Sequence, residues 1–328
     1  MSVVFNKAGL MTTVQDYGRM GHQKQGFHVC GVMDRHSYWV ANLLVDNTDR
    51  EAVIEYSVMG PSMYFTTDTV ICITGGDFDP KINGNPVPMY EAIEVHQGDE
   101  LEMGFCKSGT WGYVAFAGGL DVPLVMGSRS TDLKCKFGGL EGRKIKDGDK
   151  IPFINAVKTL PMMKDRKIEH DSFGDDVVEL RVTMGPQLDY FTENGIKTFL
   201  EQEFQVSLQC DRMGYRLDGP VIEHNEKGAD IVSDGIAKGA IQVTGEGQPI
   251  VLLSDRQTTG GYTKIANVIS VDIPKLVQCK YPQKVKFKEI DVEEAQKLYL
   301  MERERLKLLN SRFTKKHLLA RLFNHWKN

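Results

Sequence analysis

The chain has 328 residues, 41% of them hydrophobic and 26% charged, with a formal net charge of −4. Such values describe an ordinary globular protein long enough for two domains, and they exclude a disordered polyelectrolyte, a strongly basic nucleic-acid binder and a small disulfide scaffold. No apolar run approaches the length that crosses a bilayer, and the start, MSVVFNKAGLMTTVQDYG, lacks the basic and long apolar segments of a secretory signal.

Up to about residue 287 the chain is dominated by short runs rich in Val, Ile, Tyr and Thr, bounded by Gly, Pro, Asp and Asn. A helix is predicted over RHSYWVANLLVDN (35–47), behind Asp34 as its N-cap. Strands are predicted at TVICITGG (69–76), within EAIEVHQGDELEM (91–103) and at TWGYVAFAGG (110–119). INGNPVP (82–88) reads as a hairpin, Asn83-Gly84 supplying the positive backbone angles of a tight turn. HQGDEL (96–101) and KDGDKI (146–151) repeat one device, a Gly-Asp turn that leads into a strand.

The stretch 158–177 is polar and without periodicity, so a domain boundary is expected there. Beyond it come a strand at VELRVTMG (178–185), a helix over LDYFTENGIKTFLEQ (188–202), and strands at AIQVTG (240–245) and PIVLLSD (249–255). MGPSMYFT (59–66) and MGPQLDYFT (184–192) echo one another and suggest two related halves. From Asp291 onward there is no Gly or Pro, and the segment reads as helix with a break near Asn310-Ser311. It holds nine Lys/Arg against five Asp/Glu, and Leu318, Leu319, Leu322, Phe323 and Trp326 form an apolar stripe. Such a helix is expected to pack on its own domain, a membrane surface or a partner being its other uses. The fold class is therefore mainly β with few helices, in three parts: an N-terminal β domain (1–165), a second β domain (166–288) and a basic amphipathic helical tail (289–328).

Several chemistries leave no trace. There is no G-x-x-x-x-G-K-[ST] loop for phosphates, and the eight histidines show no H-E-x-x-H or other ligand rhythm, so no metal is expected. MGSRST (126–131) only superficially resembles a nucleophile elbow, which makes Ser128, Ser130 and Thr131 turn hydroxyls or substrate contacts. PMMKDRK (161–167) lacks the flanking residues of a biotin carrier. The six cysteines lie far apart with no C-x-x-C pair, which points to reduced thiols in a cytoplasmic protein.

What remains is a set of polar, arginine-rich strings that strand and turn chemistry does not require. They are TTVQDYGRMGHQKQG (12–26), MGSRSTDLKCKFGGLEGRKIKDGD (126–149), DRMGYRLDGP (211–220), SDGIAKGAIQV (233–243) and SDRQTTGGYTKI (254–265). Arg19, Arg129, Arg143, Arg212 and Arg216 bring planar forks suited to carboxylates. Gln15, Gln242 and Gln257 can donate and accept together, which fits an amide or a lactam. Gly260-Gly261 lets backbone N–H groups approach an anion, with Thr258 and Tyr262 beside them. Asp16 and Asp255 are the candidate bases, with Gln257 as third candidate catalytic residue.

The same strings, together with GVMD, ITGGDFDPKINGNPVP, YVAFAGGLDVP and the octapeptide around DRQTTGGY, resemble the allophanate hydrolase subunit 2 family over nearly the whole chain to about residue 287. That family takes in the C subunit of 5-oxoprolinase, the KipI antagonist and the carboxyltransferase part of urea carboxylase. The resemblance implies two cyclophilin-like, β-barrel-like domains and a separate, KipI-like B subunit as partner. In the oxoprolinase version, the A, B and C subunits convert 5-oxo-L-proline, ATP and water to glutamate, ADP and phosphate, so the implied cofactor of the complex is ATP. In the urea carboxylase version a carboxyl group passes from carboxybiotin, supplied in trans, to an amide nitrogen. A third use of the family is non-catalytic binding of a KipI-like regulator. On the oxoprolinase reading Arg129 or Arg216 holds the substrate anion, Gln242 or Gln257 the lactam, and Arg143 and Arg212 a charged intermediate. The chain departs from the family in Thr263, where proline is expected, in GGDFD, and in the tail from Asp291.

Overall fold

The computed structural model describes the backbone of residues 1–169 and 173–325, and their side chains as far as Phe313. Two compact units are present, and neither is a single stretch of chain. The first comprises Met1–Tyr17, Arg35–Ser172 and Leu300–Asn328; the second comprises Gly18–Asp34 and Phe173–Tyr299.

In the first unit, the runs rich in Val, Ile, Tyr and Thr build two sheets. One has six strands in the order Lys150–Pro152, Ser2–Lys7, Ser62–Phe65, Glu100–Glu102, Lys81–Ile82 and Asn85–Pro86. The other has five, in the order Met11–Gln15, Val53–Ser57, Ser108–Phe116, Thr69–Asp77 and Ala92–Val95. Val3, Phe5, Met63 and Phe65 from the first sheet join Val14, Ile54, Ile71, Val114 and Phe116 from the second in one buried cluster. Burial of apolar surface, worth about 25 cal/mol per Å², holds the two sheets face to face.

The predicted hairpin is present, with Asn83 at φ 52° and Gly84 at φ 77° between Lys81–Ile82 and Asn85–Pro86. The two Gly-Asp turns are built alike. His96 N–H donates to Asp99 Oδ2 at 2.8 Å and Lys146 N–H to Asp149 Oδ2 at 2.7 Å, with Gly98 and Gly148 both at positive φ. The echo between 59–66 and 184–192 is not structural: Ser62–Phe65 is a strand, whereas Leu188–Tyr190 is a 3-10 turn.

Helix α1 spans Arg35–Leu44 and buries Tyr38, Trp39, Val40, Ala41 and Leu44. In the second unit α2 spans Glu193–Glu201 and begins later than its sequence suggests, because the Thr192 side chain accepts the Gly195 N–H and caps it there. Helix α3 spans Ile273–Gln278.

Seven strands of the second unit close a barrel. Around it run Val177–Met184, Lys264–Val268, Ala240–Val243, Pro249–Leu252, Gly214–Asp218, Phe204–Cys210 and Lys284–Glu289. The seal is the parallel pairing of the last with the first, Val178 opposite Val285 and Leu180 opposite Phe287. Outside the barrel, Asp230–Gly235 pairs with Thr259–Tyr262 as a two-stranded arm, on which Val232 is 93% exposed.

The tail is one helix, α4 (Val292–His325), with no break at Asn310-Ser311. Ser311 Oγ turns back to the Leu308 carbonyl, and the flanking Leu306 and Phe313 are buried. In the first unit, the Glu302 carboxylate meets His36 Nδ1 at 2.6 Å, Arg303 pairs with Asp49 at 2.8 Å, and its guanidinium lies 4.3 Å from the Trp39 ring centre. The stripe Leu318, Leu319, Leu322, Phe323 and Trp326 lies outside the described side chains.

Candidate functional site

The predicted site residues fall into two groups, one in each unit. In the second unit the strand Pro249–Leu252 carries Leu253, Ser254, Asp255 and Arg256 into buried positions. Asp255 meets Arg212 there: Nε reaches Oδ2 and Nη2 reaches Oδ1, both at 2.9 Å, and the backbone adds Asp255 N–H to the Arg212 carbonyl at 2.8 Å. Arg212 also reaches the Gly31 carbonyl at 2.7 Å, while Ser254 Oγ donates to Val32 O at 2.9 Å. Lys238 ties the same loop, its Nζ donating to Val32 O, Met33 O and Ser254 Oγ. Asp255 and Arg212 thus form a positioning clasp for the loop 31–33.

After Arg256 the chain turns outward into the arm. Gly260 sits where two amides converge: a Cβ at this position would lie 2.7 Å from Gln242 Nε2 and 3.4 Å from Gln257 Nε2, and 2.6 Å from Ile236 Cδ1. Only glycine leaves that space to the amides. Gln242 is 2% exposed and donates to the Tyr262 carbonyl at 3.3 Å, whereas the Gln257 side chain has no hydrogen-bond partner among the described residues. Thr258 takes part through its carbonyl, which accepts from Ile236 N–H, and Tyr262 is 42% exposed. A Cβ at Gly261 would make only ordinary contacts, with Ile231 O at 3.5 Å and Ser233 Oγ at 3.7 Å. Arg216 is exposed on Gly214–Asp218 and not drawn into this cluster; Arg19 is fully buried, its N–H donating to Val29 O at 2.7 Å.

In the first unit Asp16 is the centre. It accepts from Ser128 Oγ at 2.6 Å, Ser130 Oγ at 2.5 Å and Arg129 N–H at 2.6 Å. The serines flagged as turn hydroxyls therefore hold this carboxylate in place. Gln15 is buried, giving its amide N–H to Thr13 Oγ1 and the Thr131 carbonyl, and its Oε1 has no hydrogen-bond partner among the described residues. Arg129 places Nε on Val122 O at 2.9 Å and Nη1 3.8 Å from Glu51 Oε2. Arg143 stands elsewhere: Asp149 fills its fork at 2.6 and 3.0 Å, and Glu141 and the Lys144 carbonyl take the rest, so it fastens a turn.

Sequence reading missed Lys238, Lys264, Asp234 and His224. Lys264 is 5% exposed and pairs with Asp234 at 2.9 Å; this hydrogen bond holds the Asp234 carboxyl below its usual range. His224 Nε2 lies 3.0 Å from Thr263 Oγ1, and burial lowers its pKa from the usual 6.5. Thr263 N–H donates to Ala229 O at 2.9 Å, a bond that the proline expected here could not make. Lysine and threonine both stand in the string GGYTK, yet nothing local marks either as buried.

Two carboxamides thus meet at Gly260, on the arm outside the closed barrel. Residues 25–289 match the carboxyltransferase domain family, subdomains A and B, and the chain belongs to that family. It is 36% identical over 291 residues to the 5-oxoprolinase C subunit of Escherichia coli, covering 89% of this chain and 92% of that one. To the protein of the same name in Haemophilus influenzae it is 33% identical over 290 residues, covering 87% and 90%. The crystal structure of K. lactis urea amidolyase superposes with a TM-score of 0.87 at 28% identity over 94% of this chain, which spans only 20% of that larger protein.

Proposed function

We propose that this chain is the C subunit of an ATP-dependent 5-oxoprolinase, opening 5-oxo-L-proline to L-glutamate together with the A and B subunits. The observation that carries the reading is two-sided coverage. Likeness extends over 89% of this chain and 92% of its Escherichia coli relative, so the two correspond almost end to end.

The geometry supports an amide-handling role. Gln242 and Gln257 present carboxamides at the bare face of Gly260, and a carboxamide matches a lactam donor for acceptor and acceptor for donor. Asp255 and Asp16 are each filled by internal donors, which favours positioning over proton abstraction for both. Of the anion contacts that sequence suggested, Arg216 is exposed on a barrel strand of the same unit, whereas Arg129 belongs to the first unit and faces Glu51. On this reading ATP is used by the complex of three subunits, and this chain carries no G-x-x-x-x-G-K-[ST] loop to cradle a triphosphate.

Co-expression with the candidate A and B subunits, followed by an assay of ATP-dependent glutamate formation from 5-oxoproline, tests this. Turnover that needs all three chains is the expected result; its absence from the full complex overturns the reading.

The likeness to urea amidolyase, with its TM-score of 0.87, favours one second reading: a carboxyltransferase subunit acting on urea or another small amide with carboxybiotin supplied in trans. It requires a biotinylated carrier that co-purifies with this chain. A stable complex with a KipI-like partner and no turnover on any amide would point instead to a regulatory binder. No described helix is long and apolar enough to cross a membrane.

A further inference from the structure

Lys264 occupies a position that lysines avoid. It is 5% exposed on a strand of the closed barrel, where an ammonium must find its partners within the protein. Three donors are available on Nζ, yet among the described residues the side chain has one partner, Asp234 Oδ2 at 2.9 Å. That partner is itself 59% exposed and rides on the arm outside the barrel.

The pair closes a ring of four residues. Asp234 stands opposite Gly260 in the arm, and Gln242 stands opposite Lys264 in the barrel. Gln242 Nε2 in turn reaches within 2.7 Å of the place a Gly260 Cβ would take, with Gln257 Nε2 at 3.4 Å. The buried lysine therefore neighbours Gln242 across the strand pair, and Gln257 lies on the other side of Gly260's Cβ position. 5-Oxoproline carries its carboxylate on the carbon next to the lactam nitrogen, so a site for it needs an amide partner and a cation side by side.

We propose that Lys264 anchors the substrate carboxylate and that Asp234 keeps its place until the ligand arrives. This rests on the lactam reading of the site. An exposed carboxylate gives up little when it returns to water, while a buried ammonium gains from any anion seated against it. Binding thus exchanges one carboxylate for another and leaves the buried charge paired throughout.

The test uses the assembled complex, titrated with 5-oxo-L-proline and with 2-pyrrolidinone, the same lactam without the carboxylate. Lys264→Met is expected to weaken 5-oxoproline about ten- to hundredfold, the loss of one charge-assisted hydrogen bond, and to leave 2-pyrrolidinone unchanged. Lys264→Arg should recover part of the loss. Asp234→Asn, an exposed change, should tighten 5-oxoproline about two- to fivefold by removing the competitor.

The proposal fails if Lys264→Met keeps the wild-type preference between the two lactams. It fails also if Asp234→Asn weakens 5-oxoproline as Lys264→Met does, which is what a merely structural pair would give, or if the wild-type complex binds neither lactam. Turnover is read separately. Lys264-dependent binding without ATP-dependent ring opening removes the hydrolase reading and leaves the carboxylate anchor standing, whereas turnover indifferent to Lys264 does the reverse.

Discussion

Arg212 holds Asp255 by both oxygens at 2.9 Å, with side-chain exposures of 4% and 12%. Removing one partner of so enclosed a pair strands the other charge, at a typical cost of about 3–5 kcal/mol. Asp255→Ala should therefore lower the unfolding free energy by about 3 kcal/mol. The double variant with Arg212→Met should recover much of that, as measured by urea denaturation. Equal losses in the single and double variants would show that the packing of Arg212, not its charge, matters.

Gly260→Ala separates binding from stability. The new methyl would lie 2.7 Å from Gln242 Nε2 and 2.6 Å from Ile236 Cδ1, both ends of side chains that can shift. The melting temperature should hardly change, while kcat/KM for the lactam falls at least about tenfold because the amides no longer converge. Unchanged kinetics would remove these two amides from the site.

Thr263→Pro would restore the residue expected of the family and should still harm this chain. It abolishes the N–H bond to Ala229 O and the contact with His224 Nε2, and a loss of about 2–3 kcal/mol is expected. Chemical denaturation measures it; a neutral result would mean that the arm readjusts.

His224 predicts a dependence on pH. Burial lowers its folded pKa below the unfolded value of 6.5, so under acid the unfolded chain binds the proton first. The contribution is fully present above pH 6.5 and is lost as the pH falls through the folded pKa. His224→Gln should flatten the stability profile in that window, and an unaltered profile would assign the slope to other groups.

Helix α4 can be tested as part of the first unit's core. Phe313 is 4% exposed, and the Arg166 guanidinium lies 4.9 Å from its ring centre. Phe313→Ala should cost about 3 kcal/mol in the unfolding transition of that unit. Trp39 fluorescence provides a local probe, since Arg303 covers that ring. A variant that unfolds like the wild type would make the helix an appendage.

Strands, hairpin and Gly-Asp turns were legible because each rests on local rules: runs of β-branched and aromatic residues, an Asn-Gly pair, an aspartate that caps its own turn. The arginine-rich strings were legible as unusual, and the family resemblance followed from them. Burial was not legible. Lys264 reads as a surface charge until the barrel closes around it, and Arg143 reads as a free cation until Asp149 is found in its fork. Asp16 and Asp255 look like bases in sequence because their donors stand far along the chain. Nor does composition mark Gly18–Asp34 as part of the second unit, since joining a unit depends on distant contacts. Asn310-Ser311 looks like a helix break on propensity alone, and burial of the neighbouring Leu306 and Phe313 overrides it.

The parallel seam between Val177–Met184 and Lys284–Glu289 also sets an order of events on the ribosome. The first barrel strand emerges early but cannot acquire its seam partner until nearly all of the second unit has been synthesised. Until then the nascent barrel has two bare edges, each able to recruit a neighbouring chain. Chains cut short before Lys284 should therefore aggregate, and chains released just after Glu289 should close.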